Sequence, residues 1–448
     1  MRTRRDFLRQ SACGLSAAAF VSSLNRFGRL AAATLPTTDY RALVCIFLFG
    51  GNDGNNTVIP YDDYASYQAV RATTAALNIS RDDLAKIDAP SHSSTFGLHP
   101  SLADLGPIYS QGDLAVVCNV GTLVQPIVRS EYLAGAPRPD SLFSHFDQQT
   151  QWQSAVGDGS SSLARTGWGG RTAEAAASLN SSPAIPTIIS TAGVTLFSTG
   201  QTTRPLVPGS ALAGFGSGPV AQTRYQALRS LLTLDLDKTL VASQSGITAA
   251  GIDDIAILDA AISSAAAIQT AFPSTDLGDQ LRQIAQAIAA RSTLQMSRQI
   301  FFASLGSFDT HTGQLATQSS LLGQVAQAMK AFSGAMEELG AADSVTTFTL
   351  SDFGRTFQPD SGGGSDHAWG SHHLVMGGAV RGGDFYGTYP TLALNGPDDA
   401  ASEGRWIPTI SVDQYGATLA RWFGVSAEAI SQVFPNIGAF DTADLGFF

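Results

Sequence analysis

The stretch FLFGGNDGNN, residues Phe47–Asn56, gives the first indication of the fold. The run Leu43–Phe49 is short and almost wholly apolar, and Gly50 and Gly51 end it. Such a run predicts a strand that is buried on both faces, as in a parallel sheet. Open α/β sheets bind their ligands beyond the carboxyl ends of the strands. Asp53, in the loop that follows, is therefore a candidate ligand-binding residue.

Further apolar runs of the same kind alternate with helical patterns. The strand-like runs are Asp113–Gly121, Gln299–Asp309 and Val345–Gly354. Between the last two, apolar residues recur at spacings of three and four, which predicts a long amphipathic helix packed on a sheet. These residues are Leu322, Val325, Met329, Phe332, Met336 and Leu339. A capping-box sequence, Ser411–Gln414, predicts a later helix that ends at Gly424. The alternation predicts an α/β fold with a mainly parallel sheet.

The first 33 residues have the three regions of a twin-arginine export signal in order. Arg4 and Arg5 precede a mildly apolar stretch at residues 12–24, and Ala31 and Ala33 are spaced for cleavage. A basic amphipathic anchor is the alternative interpretation. The apolar stretch is too short and too rich in small residues to span a bilayer well. We therefore expect export through the twin-arginine machinery, a periplasmic or otherwise exported protein, and no stable membrane insertion after cleavage.

The composition limits the class of protein that remains after cleavage. The whole chain has a formal net charge of −11. Removal of six arginines and one aspartate leaves about −16, which argues against a nucleic-acid partner. We expect residues 34–448 to form one domain, with an insertion or cap at about 155–300, where Ala, Ser, Thr and Gly are abundant. Cys45 and Cys118 lie in strand-like runs and are expected to be buried free thiols.

The chain has few histidines, and those that lie near acidic residues are candidate metal ligands. The chain has seven histidines. His311 follows Asp309 by two residues, His367 directly follows Asp366, and Asp352 comes directly after a strand-like run. Imidazole and carboxylate groups that meet at the carboxyl ends of parallel strands suit zinc or manganese better than copper. Two such ions could bind the oxygens of an in-line displacement.

The order and context of the motifs resemble the alkaline phosphatase and sulfatase superfamily. They resemble more closely its twin-arginine-exported branch, the domain-of-unknown-function 1501 family. The motifs are FLFGGNDGNNTVIP, LHPSLADLGPIYSQGDLAVVCNVG, SHFDQQTQW, GWGGR, FDTH, SDFGRT, DHAWGSHH and RWIPTISVDQYGATLARWFGV. The resemblance implies an alkaline-phosphatase-like three-layer sandwich with a mainly parallel central sheet and an inserted cap region.

The same resemblance implies a one- or two-metal site. The metal ligands that it implies are Asp53, Asp309, His311, Asp352 and His367. Ser144 matches the hydroxyl nucleophile. The chain departs from the superfamily at Phe353, which stands where a histidine ligand is usual, so the second metal lacks one imidazole.

The remaining candidate site residues are assigned to catalysis or substrate binding. His145 could orient a water or protonate a leaving group, or it could be a histidine that only supports the ligands. Arg355 could bind an anionic oxygen pair. Asn52, Asn55 and His372 are candidate substrate contacts, although the asparagines could instead supply turn geometry.

Two hypotheses about function follow. The first is an exported hydrolase of phosphate or sulfate esters that uses a Ser nucleophile, a divalent metal (zinc before manganese or calcium) and a small anionic ester substrate. The alternative is a non-catalytic binding or scaffold protein that retains the fold and at most one metal. A formylglycine sulfatase is disfavoured because the chain lacks the Cys/Ser-x-Pro-x-Arg motif. A dinucleotide-binding enzyme is disfavoured because GGNDGN is not the Gly-x-Gly-x-x-Gly fingerprint.

Overall fold

The structure is a computed structural model that describes residues 39–73, 75–157, 161–209 and 218–448. The predicted export signal, residues 1–33, lies outside the described residues. Among the residues that are described, no helix combines the length and the apolar character that a membrane crossing requires.

The strands of the described residues form an eight-stranded sheet and a three-stranded sheet. In chain order they are β1 (Arg41–Leu48), β2 (Val58–Pro60), β3 (Ala85–Ala89), β4 (Ser94–Leu98), β5 (Leu114–Gly121), β6 (Ile188–Ser190), β7 (Arg298–Leu305), β8 (Val345–Ser351), β9 (Ser371–Met376), β10 (Phe385–Tyr386) and β11 (Ile410–Ser411). The small sheet has the order β2–β4–β3 and is antiparallel.

The large sheet is mainly parallel. Its order is β10–β5–β9–β8–β1–β7–β6, and β11 also pairs with β5. Strand β1 runs parallel to both β7 and β8, β6 runs parallel to β7, and β10 and β11 run parallel to β5. Strand β9 is antiparallel to its neighbours β5 and β8. The predicted α/β fold with a mainly parallel central sheet is thus confirmed.

Helices cover both faces of the large sheet. The helices of eight or more residues are α1 (Tyr64–Arg71), α2 (His145–Ser154), α3 (Trp168–Ala175), α4 (Pro219–Leu231), α5 (Thr239–Ser264), α6 (Asp276–Ala289), α7 (Gln314–Glu338) and α8 (Val412–Phe423). Shorter helices are Gly54–Thr57, Gly106–Gln111, Arg129–Leu133 and Ile430–Val433.

The alternation of side chains along β1 explains the two helical layers. Val44 and Ile46 belong to a core shared with α6 and α7. Leu43, Cys45 and Phe47 belong to a second core shared with α3 and α8. Successive side chains of a strand point to opposite faces of its sheet, so a strand buried on both faces is apolar throughout. The three-layer sandwich follows, and Cys45 and Cys118 are both buried free thiols.

The region at about 155–300, which the sequence predicts to be an insertion or cap, contributes to the body of the fold. Its strand β6 pairs with β7. Its helix α6 buries Leu281 and Ile284 in the core shared with α7. By contrast, α4 and the first half of α5 are mostly exposed.

Candidate metal centre

The candidate site lies at the carboxyl ends of three neighbouring strands. In the pairing of β1 with its two parallel neighbours, Leu48 stands opposite Leu305 of β7 and Ser351 of β8. The loops that follow these strands therefore leave the sheet at one edge. Asp309 lies in the loop after β7, and Asp352 follows β8 directly.

Three imidazoles face the carboxylate of Asp309. Nε2 of His311 lies 3.0 Å from Oδ1 of Asp309, and Nε2 of His367 lies 3.3 Å from the same oxygen. Nε2 of His145, the first residue of α2, lies 3.4 Å from Oδ2. The Nε2 atoms of His311 and His367 are 3.1 Å apart. Nearly half of the Asp309 side-chain surface is exposed, so the cluster is open to solvent.

The other ring nitrogen of each imidazole is next to an oxygen acceptor. Nδ1 of His145 lies 2.7 Å from Oδ2 of Asp352. Nδ1 of His367 lies 2.8 Å from the carbonyl oxygen of Phe143, and Nδ1 of His311 lies 3.2 Å from Oδ1 of Asp366. An acceptor at Nδ1 favours the tautomer whose Nε2 carries a free lone pair. Metal-binding histidines in proteins are commonly held by such acceptors.

The geometry of the cluster fits a divalent ion. The ligand atoms of His145, Asp309 and His367 all lie within 4.8 Å of one another. Ligands of a tetrahedral zinc at 2.0–2.1 Å are about 3.3–3.4 Å apart. In this group, Nε2 of His367 lies 3.3 Å from Oδ1 of Asp309 and Nε2 of His145 lies 3.4 Å from Oδ2. In addition, Nε2 of His145 is buried and has no hydrogen-bond partner among the described residues.

The electrostatics keep the central carboxylate charged. Burial raises the pKa of Asp309, but the hydrogen bond and charge of Arg355, together with His145 and His311, lower it to about 2. The hydrogen bond with Asp352 raises the pKa of His145 despite its partial burial. Burial lowers the pKa of His367. Protons and a metal ion would therefore compete more strongly at His145 than at His367.

A second group of possible ligand atoms contains His311, which the group of His145, Asp309 and His367 does not include. His311, Asp360 and Asp366 place one ligand atom each within 4.8 Å of the others. Oδ1 of Asp360 already accepts hydrogen bonds from the backbone N–H groups of Gly362 and Gly364, at 2.7 and 3.0 Å. This carboxylate therefore shapes the loop before His367.

Asp352 and Phe353 lie beneath the imidazoles. Asp352 is fully buried, and it accepts hydrogen bonds from the backbone N–H of Gly50 at 3.1 Å and from Nε2 of Gln149 at 2.8 Å, beside its contact with His145. It thus holds His145 in place rather than facing Asp309. The Phe353 ring stacks on His367, with centroids 4.7 Å apart, and lies 4.7 Å from the His145 ring.

The structure does not bring Asp53 into the Asp309 cluster. Its carboxylate forms a buried ion pair with Arg71 of α1 and accepts a hydrogen bond from Nε2 of Gln314 at 2.6 Å. It also accepts from the backbone N–H and the side-chain amide of Asn55, each at 3.0 Å. These partners satisfy the carboxylate inside the protein.

The predicted nucleophile and anion-binding arginine have structural partners. Ser144 is the N-cap of α2, where its Oγ accepts a hydrogen bond from the backbone N–H of Asp147 at 3.4 Å. Arg355 is fully buried. Its guanidinium donates to the carbonyl oxygens of Gly51 and Ser365, each at 2.9 Å, and to Oδ1 of Asp309 at 2.6 Å. Arg355 therefore positions Asp309 and the loops around it.

The three predicted substrate contacts lie in the interior. Nδ2 of Asn52 donates to Oγ1 of Thr57 at 2.9 Å, and Oδ1 of Asn55 accepts from Nε1 of Trp406 at 2.7 Å. His372 is buried and its ring stacks on Tyr389. Burial lowers the pKa of His372 to about 3. The structure does not bring these side chains to the open face of the Asp309 cluster.

Sequence reasoning missed the supporting residue Gln149 and paired Asp366 with His367. Gln149 follows His145 by four positions on α2, and residues four apart lie on the same face of a helix. Both contact Oδ2 of Asp352, so the spacing of four residues could have indicated that Gln149 lies beside His145. Asp366, next to His367 in sequence, instead contacts His311, which no local spacing indicates.

The fold and the site together define an α/β sandwich protein with a histidine and aspartate cluster, able to hold a metal ion, at the carboxyl edge of its sheet. The chain belongs to the family described as "Protein of unknown function (DUF1501)", whose sequence model matches residues 40–430. Among curated protein sequences, none matches the chain.

Similar solved structures are distant in sequence and in shape. The phosphonate monoester hydrolase of Agrobacterium radiobacter matches with 9% identity and a TM-score of 0.32, over 86% of this chain and 74% of that chain. The protein named Ps i-CgsB matches with 9% identity and a TM-score of 0.31, over 88% and 74%. Its complex with k-i-k-neocarrahexaose matches equally, with the same values. At these TM-scores the similarity carries no argument about function.

Proposed function

We propose that this protein is an exported, metal-dependent hydrolase of phosphate or sulfate esters. A single divalent ion is held by His145, His311, His367 and Asp309. One observation carries the proposal. All three imidazoles face the Asp309 carboxylate through Nε2, at 3.0–3.4 Å, while an oxygen acceptor lies beside each Nδ1.

The chemistry of these groups suits zinc first and manganese second. Three neutral imidazoles and one carboxylate form a nitrogen and oxygen ligand set of intermediate softness. When bound, such an ion polarises a phosphoryl or sulfuryl oxygen and lowers the pKa of a nucleophile. The +2 charge of such an ion attracts the anionic oxygens of a phosphate or sulfate ester. The ion and Arg355 together offset the charges of Asp309, Asp352 and Asp366.

The residues around the cluster have supporting and reacting roles. Asp352 and Asp366 hold the imidazoles of His145 and His311, and Arg355 holds Asp309. Ser144 is the candidate nucleophile because it directly precedes His145, at the N-terminus of α2. The partial positive charge of a helix N-terminus favours a developing alkoxide there. The ester class rests on the resemblance of the motifs to the alkaline phosphatase and sulfatase superfamily.

A non-catalytic scaffold or binding protein with one metal is the second candidate. Asp53 is paired with Arg71, and Phe353 provides a ring without a ligand atom. Both features argue against a second ion, on which two-metal ester hydrolysis depends. A single ion could then serve binding or stability alone.

The test is metal analysis of the purified exported protein, followed by assays with aryl phosphate and aryl sulfate esters. We expect one ion per chain, hydrolysis that is lost on chelation and restored by zinc or manganese, and loss of both in His367→Ala. His92→Ala is the matched control, because His92 packs near Phe96 and Phe385 and not in the cluster. A folded protein that binds no ion overturns the proposal. One ion without any ester hydrolysis supports the scaffold instead.

A further inference from the structure

The helical hairpin formed by α4 and the first half of α5 stands apart from the rest of the fold. From residue 218 to residue 250, Ala221 and Ser245 are the buried residues. The second half of α5 is different, because Ile257, Leu258 and Ala261 belong to the core shared with α6 and α7. One end of α5 is thus anchored, and the hairpin extends from it into solvent.

This hairpin, residues 219–247, exposes large apolar side chains. Each of seven such side chains is exposed by between 37% and 86%. They are Val220, Leu231, Leu234, Leu236, Leu240, Val241 and Ile247. Leu240 and Ile247 are seven residues apart, so they lie on one face of α5. A concentration of exposed large apolar side chains in one short segment is typical of an interaction site.

The hairpin also lacks packing that would stabilise it alone. Most of the stability of a protein helix comes from the burial of an apolar face, and short helices in water are marginal. Arg229 of the hairpin forms an ion pair with Asp253, farther along α5, at 3.1 Å. Such partly exposed pairs contribute little to stability. A covering partner would supply the missing burial.

We propose that the 219–247 hairpin is the contact surface of a symmetric dimer of this chain. The exposed fractions of its seven apolar side chains correspond to roughly 700 Å² a copy, close to the ~800 Å² per partner of a standard interface. In a two-fold symmetric dimer, these apolar side chains of one copy pack against the same side chains of the other. The inference does not depend on the proposed hydrolase activity.

The charges of the hairpin favour a second copy over a membrane surface. Residues 219–247 contain three basic and two acidic side chains, so this segment is nearly neutral in a chain of net charge −11. Two copies can therefore meet here without the repulsion that other acidic surfaces would cause. Helices that bind membrane surfaces carry a basic polar face. Here Lys238 is paired with Asp235 at 3.1 Å, and acidic residues flank Leu236 at the tip.

The experiment is light scattering with size-exclusion chromatography on the purified exported protein over a range of concentrations. We expect twice the mass of one chain for the wild type, and the mass of one chain for Leu240→Glu/Ile247→Glu. The matched control is Leu133→Glu, an exposed leucine outside the hairpin, which should remain dimeric. Circular dichroism verifies that each variant is folded.

Three outcomes would overturn the proposal. The first is a wild type that remains monomeric at all concentrations. The second is a dimer that persists in the folded Leu240→Glu/Ile247→Glu variant, because the interface then lies elsewhere. The third is a wild-type monomer that co-floats with phosphatidylglycerol vesicles through the hairpin, because the partner is then a lipid surface.

Discussion

Replacement of Asp352 by Asn tests whether this carboxylate supports a ligand or is one. Asp352 is fully buried, with Oδ2 2.7 Å from Nδ1 of His145 and 2.8 Å from Nε2 of Gln149. Asparagine has nearly the same shape and can still accept the hydrogen bond from Gly50. Its amide group would, however, place hydrogens against the donors of His145 and Gln149. His145 then loses the acceptor that orients it.

The expected loss of metal affinity is about 10–100-fold, or about 1.4–2.7 kcal/mol, as for other groups that orient a metal-binding histidine. Solvent does not screen this effect, because Asp352 is buried. Asp309→Asn should cost far more, because it removes the charge that all three imidazoles face. Both variants make the same Asp→Asn change, so a difference in metal affinity between them reflects the position of the carboxylate alone.

The assay is competition for zinc with a chromophoric chelator at about pH 8, where most imidazoles are neutral. Gln149→Met is the control, since it removes one hydrogen bond to Asp352 and leaves His145 anchored; its affinity should stay close to the wild-type value. Equal losses in Asp352→Asn and Asp309→Asn would refute the supporting role and make Asp352 a ligand. No loss in Asp352→Asn would show that His145 does not bind the metal.

Three further expectations concern other parts of the chain. Ser144→Ala should lower turnover of an ester substrate by several powers of ten while zinc binding persists, and near-normal turnover would assign the attack to water. Lysine at both Arg4 and Arg5 should leave the precursor in the cytoplasm, as fractionation would reveal; unchanged export would contradict the signal. Burial raises the pKa of Asp413 to about 7, so its contribution to stability is full below about pH 4 and is lost as pH rises to about 7. The free energy of unfolding of Asp413→Asn, measured by denaturation across this pH range, should lack this decrease of at most about 4 kcal/mol. Identical pH profiles for the wild type and the variant would contradict this expectation.

The fold could be predicted because a strand buried on both faces leaves a continuous apolar run. The predicted run Leu43–Phe49 corresponds to β1 at Arg41–Leu48, and the capping box at Ser411 and the end at Gly424 are both observed. Two predicted strands extend too far. The runs through Phe308 and Phe353 continue into loops, where both rings are buried. An apolar pattern reports burial, and it cannot distinguish a strand residue from one packed under a loop.

The location of the candidate site could also be predicted, but not the role of each carboxylate. Parallel neighbours β7, β1 and β8 bring the loops with Asp309, Asp53 and Asp352 to one edge. Which carboxylate stays open depends on partners that are distant in sequence. Asp53 pairs with Arg71 and Gln314, and Asp352 with His145. These contacts arise only when α1, α2 and α7 pack against the loops.

The pairing of Asp53 with Arg71 disfavours a second metal ion independently of Phe353. Both side chains of this ion pair are almost fully buried, and removal of either partner leaves an uncompensated charge in the interior. Nη2 of Arg71 donates to Asp53, whereas Nε and Nη1 have no hydrogen-bond partner among the described residues, so Asp53 is the group that offsets its charge. A second divalent ion at Asp53 would have to displace this guanidinium and would be repelled by it at short range. A histidine in place of Phe353 would supply a nitrogen ligand and leave that repulsion intact. The proposed one-ion character of the site thus depends on Arg71 as much as on the missing imidazole.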